Sequence, residues 1–114
     1  MLICDDAPEH RAFVRYALAD TPELEIAGEA PDGATCLAAI ALSHPDIVVL
    51  DLHMPGLDGY GVLDALRERP DAPRVLVLSS EEEAADRVRA YGVEFVAKGI
   101  SPDVLRQTVL ELAS

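Results

Sequence analysis

Ile47-Val48-Val49-Leu50-Asp51 sets four apolar residues in a row, three of them β-branched, and ends them on an acid. A run this short, with no apolar–polar alternation, fits a strand covered on both faces, which implies a parallel sheet between two layers of helices. Val75-Leu76-Val77-Leu78 repeats the pattern and is followed by Ser79-Ser80. Met1-Leu2-Ile3-Cys4 is a third such run and leads into Asp5-Asp6. It starts abruptly, so a trimmed N-terminus is expected. Leu24 to Glu29 and Val93 to Ala97 supply two weaker strands.

Helical patterns lie between these runs. Pro8 and Glu9 after Asp6-Ala7 predict a capped first turn, and Val14, Ala17 and Leu18 follow at i, i+3, i+4 on one apolar face. Asp32-Gly33 opens a second helix with Leu37, Ile40 and Ala41 inward. A third begins near Gly59, carries Val62, Leu63 and Leu66, and must stop before Pro70. A fourth, polar, is expected from Glu82 to Tyr91 with Gly92 ending it. The last starts at Pro102, with Leu105, Val109 and Leu112 on one stripe. The order is five βα units with short connections. Right-handed crossovers make this one α/β domain over residues 1–114, a doubly wound, flavodoxin-like (βα)5 three-layer sandwich with strand order 2-1-3-4-5.

Half of the residues are apolar but only 4% are aromatic, so the core must be aliphatic. The formal charge of −12 sets the chain against nucleic acid and anionic membranes. Its arginines are scattered (Arg67 and Arg69, Arg87 and Arg89), which predicts no DNA binding by this domain itself. Cys4 and Cys36 lack metal-ligand or CxxC spacing and read as buried apolar thiols of a reducing compartment. No apolar stretch approaches the ~18 residues of a membrane span and no signal peptide opens the chain, so a cytoplasmic location is expected.

In doubly wound sheets, functional groups gather beyond the carboxyl ends of the strands. Here those ends carry Asp5 and Asp6, Asp51, Ser79, and Lys98. Singly, each has a plain explanation: a cap, a turn residue, a solvated lysine. Together they do not. Two partly buried carboxylates about 4 Å apart repel by roughly 4 kcal/mol at an effective dielectric near 20, so the cluster needs protons or a cation. Oxygen donors without Cys or His side chains favour Mg²⁺ over zinc. A carboxylate nucleophile at Asp51, a hard cation, the Lys98 ammonium and the Ser79 hydroxyl are the parts that phosphoryl transfer uses.

The stretch from Pro45 to Gly59, PDIVVLDLHMPGLDG, resembles the phospho-acceptor segment of response-regulator receiver domains in two-component signalling, and the other residues follow in that family's order. Ala27 to Gly33 is similar to the subgroup with a C-terminal helix-turn-helix output domain. The resemblance implies a switch rather than an enzyme, with Asp51 accepting a phosphoryl group from a sensor histidine kinase. It implies Mg²⁺ held by Asp5, Asp6, Asp51 and the backbone carbonyl of His53. Ser79 and Lys98 would take the phosphoryl oxygens, and Phe95 would turn inward as Ser79 moves. A homodimer formed on phosphorylation is expected through the fourth helix, fifth strand and fifth helix.

Three features depart from the family pattern. Gly99 replaces the usual proline, so no cis peptide is expected there. Two serines follow the fourth strand, of which Ser79 adjoins the apolar run. The Ser79–Lys98 segment is two or three residues short, which bears on the fourth helix. The rings of His10, His44 and His53 read as surface or structural groups, with His10 and His44 away from the strand ends. Two rival readings differ in class. A haloacid-dehalogenase-type phosphatase would need a second Asp where His53 stands and an acidic pair after the lysine. A pseudo-receiver that signals without phosphate would not need all five chemical positions intact.

Overall fold

The computed structural model describes residues 1–114. Five parallel strands run β1 (Leu2–Cys4), β2 (Gly28–Ala30), β3 (Ile47–Leu50), β4 (Arg74–Ser79) and β5 (Glu94–Ala97), in the order β2-β1-β3-β4-β5. The helices are α1 (Pro8–Leu18), α2 (Gly33–Ser43), α3 (Gly59–Arg67), α4 (Ala85–Arg89) and α5 (Pro102–Ala113). This is the α/β doubly wound arrangement expected from the sequence.

The strand pleat divides the aliphatic residues into two cores. Ile3, Ile47, Val49, Leu76 and Leu78 face Val14, Ala17 and Leu18 of α1 and Leu105 and Val109 of α5. Leu2, Cys4, Val48, Leu50, Val75 and Val77 face the other way, with residues of α2, α3 and α4. Both faces of the sheet are therefore covered, which is why the central runs show no alternation.

Several boundaries differ from the sequence expectation, each for a physical reason. β2 was expected over Leu24 to Glu29 but pairs only at Gly28–Ala30, because its neighbour β1 offers just Leu2, Ile3 and Cys4 as partners. Leu24 and Ile26 still pack against the α1–α5 core. Asp6 does not cap α1: the N-cap is Ala7, with no side-chain bond, and the Ala7 amide donates to Asp5 Oδ1 at 2.9 Å. Three of the other helices carry side-chain N-caps, whereas α4 has none. Asp32 accepts from Thr35, Asp58 from Gly61 and Ser101 from Val104.

The fourth helix is the largest departure. It was expected from Glu82 to Tyr91, but a single 3₁₀ turn at Glu82–Ala84 precedes an α4 of only five residues. So short a helix needs tertiary support. Val88 is buried beneath it, and its outer side is tied to α3 by polar contacts. Tyr91 donates to Asp64 at 2.7 Å, Arg67 lies 4.2 Å from the Tyr91 ring centroid, and Arg87 lies 3.7 Å from that of Tyr60. No helix is long and apolar enough to cross a membrane.

Candidate functional site

β1 and β3 are adjacent, with Cys4 opposite Leu50. The next residues on each, Asp5 and Asp51, therefore leave the sheet side by side, and the Asp51 amide donates to the Cys4 carbonyl at 2.8 Å. Both carboxylates are buried at 5% exposure, whereas Asp6 points to solvent. One ligand atom from each of Asp5, Asp6 and Asp51 lies within 4.8 Å of the others. The expected convergence of three acids is thus present.

Lys98, the only lysine in the chain, extends from the end of β5 into this cluster. Its ammonium lies 3.2 Å from Asp5 Oδ2 and 3.3 Å from Asp51 Oδ1. Its backbone amide donates to the Ser79 carbonyl at 2.9 Å, which fixes the lysine relative to the end of β4. Gly99 follows with φ of +96°, and the chain has no cis peptide.

Burial pushes the Asp51 carboxyl above its ordinary pKa, the Asp5 charge pushes it further, and Lys98 pulls against both. The folded state therefore holds the Asp51 proton more tightly than the unfolded chain, whose value is about 3.9. Below that value the group is neutral in both states and costs nothing. Above the raised value the buried charge costs stability in full. Asp51→Asn should accordingly melt a few degrees above the parent at pH 7, a gain on the order of 1 kcal/mol. The gain should fade as the pH drops towards 4. Thermal melts of both proteins across this range test it, and an unchanged or lower melting temperature at pH 7 contradicts it.

Ser79 is the last residue of β4 and fully buried, and its hydroxyl accepts from the Glu81 amide at 3.1 Å. Ser80 is exposed, so the residue adjoining the apolar run is the one directed inward. The ring of His53 points out, 2.7 Å from Glu81, and takes no part in the acidic cluster. Phe95 is already buried at 7% exposure within the core beneath α2, α3 and α4. The expectation that it turns inward is corrected to this extent: the inward position is occupied here.

His10 was read as lying away from the strand ends, and the structure overturns that. α1 carries it back over the sheet edge, so that its Nδ1 lies 2.9 Å from Lys98 Nζ and 3.4 Å from Asp5 Oδ1. The signal was available: Asp5 turns the chain directly into a helix, and one turn later a side chain faces back over its start. His44, at the left-handed end of α2, is remote from the cluster as expected. It lines a cavity of about 860 Å³, which opens near the amino ends of the strands and contains none of the clustered groups.

The arrangement is an acidic pocket at a sheet switch point, with two buried carboxylates and one ammonium aimed at the same space. Comparison with known proteins agrees. The family model described as response regulator receiver domain matches residues 1–110. The chain belongs to the receiver-domain family. Among curated relatives, it is 42% identical over 102 residues to protein-glutamate methylesterase/protein-glutamine glutaminase 5 of Myxococcus xanthus, covering 86% of this chain and 29% of that protein. It is 29% identical over its whole length to the nitrate/nitrite response regulator protein NarL of Escherichia coli, covering 54% of it. The receiver domain therefore spans from under a third to about half of these relatives.

Solved structures give the same fold. The signal receiver domain of NarL from Mycobacterium tuberculosis has a TM-score of 0.89 at 33% identity, with 98% of this chain and 93% of that one covered. The Vibrio cholerae chemotaxis protein CheY4 has a TM-score of 0.83 at 26% identity, covering 97% of this receiver domain and 95% of CheY4. The dehalogenase-type reading is set aside by this family membership.

Proposed function

We propose that this receiver domain takes a phosphoryl group from a sensor histidine kinase onto Asp51 and uses it to control an output domain or partner. The observation that carries this reading is the juxtaposition of Asp51 with both Asp5 and Lys98 in one buried pocket. An Asp51 oxygen attacks phosphorus as the P–N bond to the kinase histidine breaks, and the imidazole leaves with the electron pair. Lys98 gives up an Asp51 contact and donates to an equatorial phosphoryl oxygen. Ser79 exchanges the Glu81 amide for another such oxygen. The domain is a stoichiometric acceptor, not a catalyst with a turnover substrate.

The donor set suits a hard divalent cation: Asp5, Asp6 and Asp51 offer only oxygens, and their charges need offsetting. Mg²⁺ held there, with the His53 carbonyl as a further ligand, supplies charge neutralisation for the incoming phosphoryl group. Without it, the carboxylates repel that group.

The switch is a shift between two populations, so only contacts that differ between them count. A phosphoryl-bound Ser79 draws the loop after β4 inward, and this favours the inward Phe95 over any outward alternative. The short α4 is the element most easily moved. The domain acts in the cytoplasm, does not itself bind DNA, and self-associates on phosphorylation through α4, β5 and α5. Its output lies elsewhere, in a helix-turn-helix module as in the resembling subgroup or in an effector of another kind.

Beryllofluoride, a phosphoryl mimic, tests the reading. With Mg²⁺ it should shift amide resonances from Ser79 to Gly99 and raise the sedimentation coefficient. With EDTA it should do neither. Shifts confined to the neighbours of Asp51 would show that phosphate binding and the α4–β5 face are uncoupled.

A further inference from the structure

His10 is the one group in the pocket that the proposed phosphoryl chemistry does not use, and its place is fixed by its own helix. The first turn of α1 is clamped to the end of β1. The Ala7 amide donates to Asp5 Oδ1 at 2.9 Å, and Arg11 donates to the Asp5 carbonyl and to Glu29, each at 2.7 Å. His10 therefore projects over the pocket from an anchored helix, which sets a side chain more accurately than a loop does.

The ring is held against Lys98. An ammonium has only protons to offer, so at 2.9 Å from Lys98 Nζ the His10 Nδ1 presents its lone pair, which assigns the ring proton to Nε2. The ammonium's other acceptors are Asp5 Oδ2 at 3.2 Å and Asp51 Oδ1 at 3.3 Å. Both carboxylate contacts are longer than the roughly 2.7–2.9 Å usual between an ammonium and a carboxylate. The cation thus sits closest to its one neutral partner, and His10 draws it off the two anions. Little else fixes this position. The lysine stem is flexible, and Gly99, with φ of +96°, follows it with the backbone freedom of a glycine.

We propose that His10 is a positioning residue for phosphoryl acceptance: its Nδ1 holds the Lys98 ammonium off Asp51, leaving the nucleophile free and one ammonium proton ready for the phosphoryl group. The proposal rests on the phosphoryl-acceptor reading above. As Asp51 attacks, the ammonium proton facing it turns to a phosphoryl oxygen, while His10 and Asp5 keep the others and serve as the pivot. A neutral acceptor suits this task, because it takes a hydrogen bond without cancelling the positive charge that the phosphoryl oxygens need. Without His10 the ammonium closes on Asp51, and that tighter ion pair must break before attack.

Lys98 is the only lysine, so its side-chain nitrogen signal reports the contact without overlap. In the resting protein, proton–nitrogen spectra should show an unprotonated His10 Nδ1. The Lys98 Nζ signal should move in His10→Leu and return towards its parental place in His10→Asn, whose Oδ1 replaces Nδ1 as acceptor. A protonated Nδ1, or a Lys98 signal indifferent to both variants, overturns the contact. Initial rates of labelling by acetyl phosphate and Mg²⁺ test its use. The His10 side chain is 45% exposed, so both variants should fold. His10→Leu should label about tenfold more slowly, since a displacement of about 1 Å in a positioned group costs up to about 10² in rate. His10→Asn should restore most of the loss. Parental rates in His10→Leu, or a His10→Asn as slow as His10→Leu, overturn the positioning role. A parent that never labels, while its Lys98 signal responds as expected, contradicts the phosphoryl-acceptor reading and the positioning role with it, and leaves the resting contact established.

Discussion

Asp51→Asn will take up no phosphoryl group from acetyl phosphate and Mg²⁺, whereas the parent gains the mass of one. The expected loss is complete, because an amide oxygen is a far weaker nucleophile than a carboxylate and forms no stable phosphoryl adduct. Folding does not confound the comparison, since removal of a buried charge should stabilise the variant. The other carboxylates do not substitute. Asp5 is bound to the Ala7 amide and to Lys98, and Asp6 faces solvent without the ammonium beside it. Lys98→Ala tests the partner. It leaves Asp5 and Asp51 buried without their ammonium, so labelling should fall by about 10² or more, in the range seen when one preorganised charge is removed from a transition state. Retained labelling in Asp51→Asn would move the acceptor to another residue. Retained labelling in Lys98→Ala would show that the ammonium serves the resting pocket only.

The sheet was legible because its central strands are extreme. Ile47 to Leu50 and Val75 to Leu78 are apolar at every position, and only a strand with both faces covered tolerates that. The acids, the serine and the lysine were legible for a related reason. Asp5, Asp51 and Ser79 directly follow such runs and Lys98 follows the weaker run ending at Ala97, and the parallel order places those ends together. Edges and short helices were harder to read. β2 is cut to three residues by the length of β1, and nothing in Leu24 to Glu29 encodes the length of a distant strand. The five-residue α4 depends on Val88 beneath it and on Tyr60, Asp64 and Arg67 of α3 beside it, contacts made across the fold. His10 was missed because its spacing was compared with strand ends, whereas what places it is the first turn of α1 directly above Asp5. Phe95 could be identified as an aromatic on β5, but which way it faces is set by the packing of α4, not by its own neighbours in sequence.

Gly59→Ala should be strongly damaging although it adds only a methyl group outside the acidic cluster. Gly59 is the first residue of α3, and its amide donates to the Leu52 carbonyl at 3.0 Å. A Cβ built there would lie 2.4 Å from the Asp51 carbonyl oxygen and 2.7 Å from the Leu52 Cα. Both are backbone atoms, so no side chain can swing away. Either α3 must lift from the sheet or the segment from Asp51 to Leu52 must shift. The first opens the core around Val62, Leu63 and Leu66, and the second moves Asp51 itself. Overpacking of this kind costs about 2–3 kcal/mol, which for a domain of this size lowers the melting temperature by roughly 10–20 °C. Gly28→Ala is the control. Its Cβ would meet only Leu2 Cδ1 at 3.7 Å, an ordinary contact, and the melting temperature should stay within a few degrees of the parent. The two outcomes for Gly59→Ala separate by a second measurement on the folded fraction at low temperature. If α3 yields, beryllofluoride still binds with parental affinity. If Asp51 shifts, its affinity drops at least tenfold, because a displacement of about 1 Å in a positioned group is enough for such a loss. The shorter approach is to the Asp51 carbonyl, and the helix is anchored by three buried apolar side chains, so the loss of affinity is the expected result. A variant that melts with the parent and binds beryllofluoride equally well would show that the close packing of Gly59 against Asp51 does not hold the site in place.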